Sequence, residues 1–105
     1  MNTEKIRALN DQARQTLSGC RVMVTQGIQQ LDRLDAILSA VREFNNFNSS
    51  NDPYGEHDFG KIELFGETIF WKFDYYDLAL ECGSEDPSDP AVTCRVLTIM
   101  LASEY

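Results

Sequence analysis

Residues 94–101 read CRVLTIML, and the architecture turns on whether this run is helix or strand. A mostly apolar run of this length, broken only by Arg95 and Thr98, suits a wide buried helix face or a fully buried strand equally well. Just before it, Asp89-Pro90 puts an acid and a proline where a helix takes its N-cap and first residue. That punctuation predicts a closing helix running toward Ser103, with Val92, Val96, Ile99 and Met100 as its core stripe. Leu97 and Leu101 add a second apolar side, so the helix is expected to be buried on a wide face; otherwise CRVLTIML is a strand.

Working back from there, GSEDPSDP (83–90) breaks any regular element. Thr68 to Tyr76 alternates strictly, with Ile69, Trp71, Phe73 and Tyr75 on one face and Thr68, Phe70, Lys72, Asp74 and Tyr76 on the other. Lys61 to Phe65 alternates around Ile62 and Leu64, and Phe65-Gly66-Glu67 makes a tight turn between the two. These stretches predict a β-hairpin, extended by a third short strand at Leu78 to Cys82. Upstream, NNFNSSNDPYGEHD (45–58) is dense in residues that favour turns and predicts a long loop, the first place to look for a site.

In the first half, Leu31, Leu34, Ile37, Leu38, Val41 and Phe44 form a stripe of helical period. Cys20 to Thr25 alternates as a short strand before the turn-like Gln26-Gly27. Ile6, Leu9, Ala13 and Leu17 predict an amphipathic helix from Thr3, with Thr3 as N-cap and Gly19 as the stop. The order α-β-α-β-β-(β)-α predicts a single α+β domain over residues 1–105, with helices packed on a mainly antiparallel sheet.

A chain of 105 residues buries roughly two thirds of its unfolded surface, enough for one core and too little for a two-domain enzyme. Nine Lys and Arg against seventeen Asp and Glu give a net charge of -8, the wrong sign for a broad grip on phosphate backbones. The excess is localised. Residues 1–50 carry six basic and five acidic side chains, whereas residues 51–105 carry three basic and twelve acidic, a net of -9. A partner reading this charge is expected to be a basic protein, with no direct nucleic-acid contact.

Cys20, Cys82 and Cys94 are odd in number and lack metal-ligand spacing, which fits a reducing compartment. The polar start MNTEKIRALNDQARQ has no signal-peptide core, and no run is long enough to span a membrane. A cytoplasmic protein is expected, with no membrane association.

Glu56-His57-Asp58 is the one catalytic-looking cluster, since His57 is the only histidine and flanking carboxylates could orient it as a general base. The competing reading is a surface group that stabilises a turn. Asp52, Glu56 and Asp58 could instead offer oxygens to calcium or magnesium, but Pro53 sits where an EF-hand loop needs glycine. Asx-turns and solvated charge are the alternative. A single histidine excludes two-histidine zinc motifs. Cys20 and Cys94 lie in apolar surroundings, where a thiol is usually an inert packing group. Neither phosphate-binding glycine motif is present, and no cofactor is expected. In FWKFDYYD (70–77) an aromatic platform lacks the basic groove a nucleic-acid strand needs. If its face is exposed, Phe70, Lys72, Asp74, Tyr76 and Asp77 fit a protein-binding surface, together with Tyr54 of the loop.

The strings NDPYGEHDFG (51–60), FWKFDYYD (70–77) and DPAVTCRVLTIMLASEY (89–105) resemble a bacterial domain-of-unknown-function family, number 3768. VMVTQGI (22–28) is also similar, and the first twenty residues are least distinctive. The family has no assigned activity, so the resemblance carries over no site residue. It implies a context of short proteobacterial accessory genes, often on mobile elements, which include acidic inhibitors of nucleases and CRISPR complexes.

Three functions are therefore expected in competition. The first is a non-enzymatic binding or inhibitory module for a basic partner, of the anti-CRISPR or antirestriction type. The second is a small hydrolase or metal-dependent enzyme on the 52–58 loop, with Lys72 or Asp74 nearby. The third is a homo-oligomeric module that buries the face of Phe70 and Tyr76.

Overall fold

A computed structural model describes residues 2–105. Helix α1 (Thr3–Thr16) leads into strand β1 (Arg21–Val24), a short helix α2 (Gln26–Gln30) and helix α3 (Leu34–Arg42). Three strands follow, β2 (Phe59–Leu64), β3 (Glu67–Tyr76) and β4 (Cys94–Leu101), and the chain closes on a 3-10 turn, Ala102–Glu104. The strands form one sheet in the order β1-β4-β3-β2, with β1 parallel to β4 and the other two pairings antiparallel. The α+β class and the mainly antiparallel sheet are as the sequence predicts.

CRVLTIML is a strand, and the expected closing helix does not form. Asp89 does accept an amide hydrogen bond, from Ala91 N at 2.9 Å, but it closes a local turn that goes no further. The reason lies in tertiary position. β4 pairs on both edges and is covered on both faces, so Val96, Leu97, Ile99 and Met100 are all buried. A central strand of that kind loses the polar-apolar alternation by which strands are recognised.

The third strand expected at Leu78 to Cys82 is also absent. Asp77 Oδ1 takes the amide of Glu81 at 3.0 Å and Asp77 N donates to Cys82 O at 2.8 Å, folding the segment into turns with only a single bridge, Tyr76 to Gly83. The hairpin itself is confirmed. Leu64 faces Glu67 across the two-residue loop Phe65-Gly66, and both loop residues have positive φ (54 and 74°), as the tightest hairpin turns require.

At the chain start the cap is Asn2 rather than Thr3, its side chain accepting from Lys5 N at 3.0 Å. The helix stops on Leu17 in the left-handed region, two residues before Gly19. The stripe from Leu31 becomes helical only at Leu34, because Asp32 (φ 55°) breaks it from α2. That short helix replaces the turn expected at Gln26-Gly27 and is held from the far end of the chain. Glu104 accepts from Thr25 Oγ1 at 2.6 Å and Gly27 N at 3.1 Å. A Cβ on Gly27 would lie 2.7 Å from Leu101 Cδ1 and 2.8 Å from Glu104 Cδ, so both side chains would have to shift to admit one.

The helices cover one face of the sheet. Ala13, Ile28, Ile37 and Val41 pack on Ile69, Trp71, Phe73, Leu97 and Ile99, and Trp71 makes edge contacts with Phe44, Phe47 and Phe73. Trp71, Phe73 and Tyr75 thus point inward, as their alternation predicts. Among the described residues no helix lies on the opposite face, where Phe70 packs against Phe59 and Tyr105.

Candidate functional site

The 45–58 loop is built by its own side chains at one end and by α1 at the other. Asn48 Oδ1 accepts from Ser50 N and Asn51 N, and Asn51 Oδ1 accepts in return from Asn48 N at 2.8 Å. These are the side-chain-to-backbone turns that Asn-rich sequence favours. Beyond them, Arg7 donates to Gly55 O at 3.2 Å and Asn10 Nδ2 donates to Glu56 O at 3.0 Å. His57 Nδ1 meets Asp11 Oδ1 at 2.9 Å. Residues 7, 10, 11 and 14 share one side of α1 because they recur at helical spacing.

His57 sits in the left-handed region (φ 53°), with its ring stacked on Phe47 at 3.7 Å between centroids. Its backbone amide donates to Asp52 Oδ1 at 3.1 Å, and its Nε2 lies 3.6 Å from Asp52 Oδ2. Both ring nitrogens therefore face carboxylates and one ring face is covered. Behind the stack, Arg14 is buried over the rings of Phe47 and Trp71. It donates to Val41 O and Arg42 O at 2.9 and 3.1 Å, and to Asp11 Oδ1 at 3.3 Å.

A second polar chain runs beneath the loop. Arg95 Nε donates to Asn10 Oδ1 at 2.6 Å, Asn10 Nδ2 donates to Tyr75 Oη at 2.8 Å, and Tyr75 Oη donates to Glu56 Oε1 at 2.8 Å. Asn10 is fully buried (0% exposed). Burial, with Glu56 beside it, pushes the Tyr75 phenol far above its ordinary range, despite the opposing hydrogen bond from Asn10. Burial likewise lowers Arg95 and Arg14.

On the other side of the loop lies an open cleft of about 340 Å³, whose lining includes Tyr54, Asp58, Phe59, Lys72, Asp74 and Tyr105. Lys72 Nζ and Asp74 Oδ2 pair at 2.8 Å, and that hydrogen bond raises the lysine. Burial, then the charge of Glu56, raises the Asp58 carboxyl.

The structure therefore divides the residues predicted as a site. Tyr54, Asp58, Lys72 and Asp74 share the cleft, while Asp52, Glu56 and His57 turn toward α1. Phe70 packs under Tyr105, and Tyr76 and Asp77 lie at the far end of β3. Asp52, Glu56 and Asp58 do not assemble as metal ligands, and among the described residues no group of three or more His, Cys, Asp or Glu is placed to hold a metal ion. Each acid has a different neighbour instead: His57 for Asp52, Tyr75 for Glu56 and the cleft wall for Asp58. Burial raises the Cys20 thiol, in keeping with a packing role.

Sequence reasoning missed Asn10, Asp11, Arg14 and Arg95. The stripe Ile6, Leu9, Ala13 and Leu17 was the expected buried face of α1, yet the buried residues are Ile6, Asn10, Ala13 and Arg14. Their one available signal was the spacing of Arg7, Asn10, Asp11 and Arg14, a polar set at i, i+3, i+4 and i+7 that reads as a solvated face.

Among the described residues no helix is long and apolar enough to cross a membrane. No curated protein matches the chain, and no solved structure matches it. One family model does, over residues 24–104, a span that takes in the whole 45–58 loop, all of the cleft lining but Tyr105, and Arg95, and leaves out all of α1 and all but the last residue of β1. The chain belongs to the family described as protein of unknown function DUF3768.

Proposed function

We propose that this chain is a non-enzymatic binding protein of the cytoplasm that docks on a basic protein surface through its β3–β4 connection. The observation that carries this reading is the composition and exposure of residues 77–89. The segment holds Asp77, Glu81, Glu85, Asp86 and Asp89 with no Lys or Arg. Within it Leu78 and Leu80 are 66% and 41% exposed, and Tyr76 is exposed beside them. Apolar side chains held out among carboxylates suit an interface whose centre is apolar and whose rim is charged. Asp77, Asp86 and Asp89 each accept a local hydrogen bond, while Glu81, Glu85 and Asp86 are exposed, so the segment gathers five of the twelve acids of residues 51–105 and presents at least three of them to solvent. A basic surface that otherwise holds nucleic acid, as in a host defence complex, is a partner of the right sign.

The His57 cluster supports fastening of the loop more than catalysis, because neither ring nitrogen is left open toward the cleft. The test is affinity capture from nuclease-treated lysate of the native cell at low salt, with wild type beside the double variant Leu78→Ser and Glu81→Lys. The expected result is a basic protein held by wild type, released by salt and by added DNA or RNA, and not held by the variant. Recovery of no basic protein, or equal capture by the variant, refutes the reading. A dimer in solution that is abolished by Tyr76→Ser would favour the homo-oligomeric module instead.

A further inference from the structure

Arg95 is 3% exposed, yet among the described residues no carboxylate comes within ion-pairing distance of it. Its neutral partners are Asn10 Oδ1 to Nε and Pro87 O to Nη2, each at 2.6 Å, with the Tyr75 ring 5.1 Å away. Its Nη1 makes no hydrogen bond among the described residues. Buried guanidinium groups are normally paired, because removing the charge from water is costly without a counterion.

Two adjoining clefts, of about 280 and 330 Å³, share Arg95, Gly19 and Thr93 in their walls. The second also has Arg21, while Leu9 and Pro90 give the first an apolar side. Neither wall contains an Asp or Glu, although the chain has seventeen of them against nine Lys and Arg. A buried cation with no direct ion-pair partner among the described residues, its nearest acid Glu56 reached only through Asn10 and Tyr75, thus lies where two arginine-lined, acid-free clefts meet.

We propose that these clefts form a binding site for a small organic monocarboxylate, whose carboxylate pairs with Arg95 Nη1 and whose short apolar body rests on Leu9 and Pro90. One free guanidinium edge suits a carboxylate. A single guanidinium edge matches one negative charge, so inorganic phosphate is the discriminating competitor. The site adjoins the protein-docking loop, since Leu78 lines the second cleft and Pro87 O accepts from Arg95, but a different ligand and a different variant test each, so either can fail without the other.

The test is titration of isotope-labelled full chain with sodium benzoate at constant ionic strength, following the Arg95 Nε–H and Gly19 amide signals by NMR. Saturable shifts at both are expected. Arg95 itself is a poor target for mutation because it also holds Asn10, so the exposed wall residue Gln12 is used. Gln12→Arg should tighten benzoate about three-fold and Gln12→Glu weaken it about three-fold. Shifts that stay linear to about 20 mM, or affinity indifferent to both Gln12 variants, overturn the site. Phosphate binding as tightly as benzoate overturns the monocarboxylate assignment.

Discussion

Replacing Asn10 by alanine tests whether α1, the loop and the sheet are joined through one side chain. The amide makes three hydrogen bonds, to Arg95 Nε, Tyr75 Oη and Glu56 O. The bond to charged Arg95 contributes about 1.5–3 kcal/mol and each neutral one about 0.5–1.5 kcal/mol. Since Asn10 is fully buried, water cannot readily take its place, and Asn10→Ala should cost about 3–5 kcal/mol. Against a total of about 5–15 kcal/mol for a domain of this size, that lowers Tm by about 15–30 °C. Urea unfolding followed by the fluorescence of Trp71, the only tryptophan, reads the loss directly. Asn10→Asp is the informative companion, because it keeps an acceptor for Arg95 and makes it a carboxylate while removing only the two donations. It should cost about 1–3 kcal/mol. A loss below about 1 kcal/mol for Asn10→Ala, or an aspartate variant weaker than the alanine one, refutes the hub.

Gly60→Ala should destabilise severely, since a Cβ there collides with the indole nitrogen of Trp71 and overpacking a tight core costs about 1–3 kcal/mol or more; thermal unfolding measures it. Glu104→Ala should free the amides of Gly27 and Leu101, which the carboxylate now accepts at 3.1 and 2.8 Å, and hydrogen exchange at both should accelerate. Because the hydrogen bond from Thr25 holds Glu104 below its ordinary value, its contribution is present at neutral pH and is lost as pH falls through that lowered value. Asp58→Asn should stabilise the protein at neutral pH. The Asp58 carboxyl is raised in the fold, so its charged form is penalised there, and the gain should fade as pH drops through the raised value into the ordinary range. Urea midpoints across a pH series test both signs.

The hairpin was legible because β2 and β3 each keep a polar face, and Phe65-Gly66 supplies the backbone its turn needs. β4 was not, because a strand paired on both edges and covered on both faces has no alternation to display. The apparent cap at Asp89 was a true local signal, read at the wrong scale. Asn10 and Arg14 were hidden for a related reason: their distant hydrogen-bond partners are helix, loop and strand groups 27 to 85 residues away, so only the assembled fold distinguishes them from a wet helix face. The loop drew notice through its composition, whereas its attachment to α1 depends on Arg7, Asn10 and Asp11, which no turn propensity records.

The position of β4 also sets a timetable. Arg21 of β1 pairs with Val96 of β4, closing a loop of about 75 residues, and contacts of that separation slow folding. During synthesis β1 emerges early with no neighbour to pair with, and the hairpin waits with the inner edge of β3 bare until β4 is made. Unpaired edges of that kind invite association with other chains. Folding is thus a late event in which the strand between β1 and β3 completes both pairings, and a nascent chain lacking it is the form most exposed to aggregation and proteolysis.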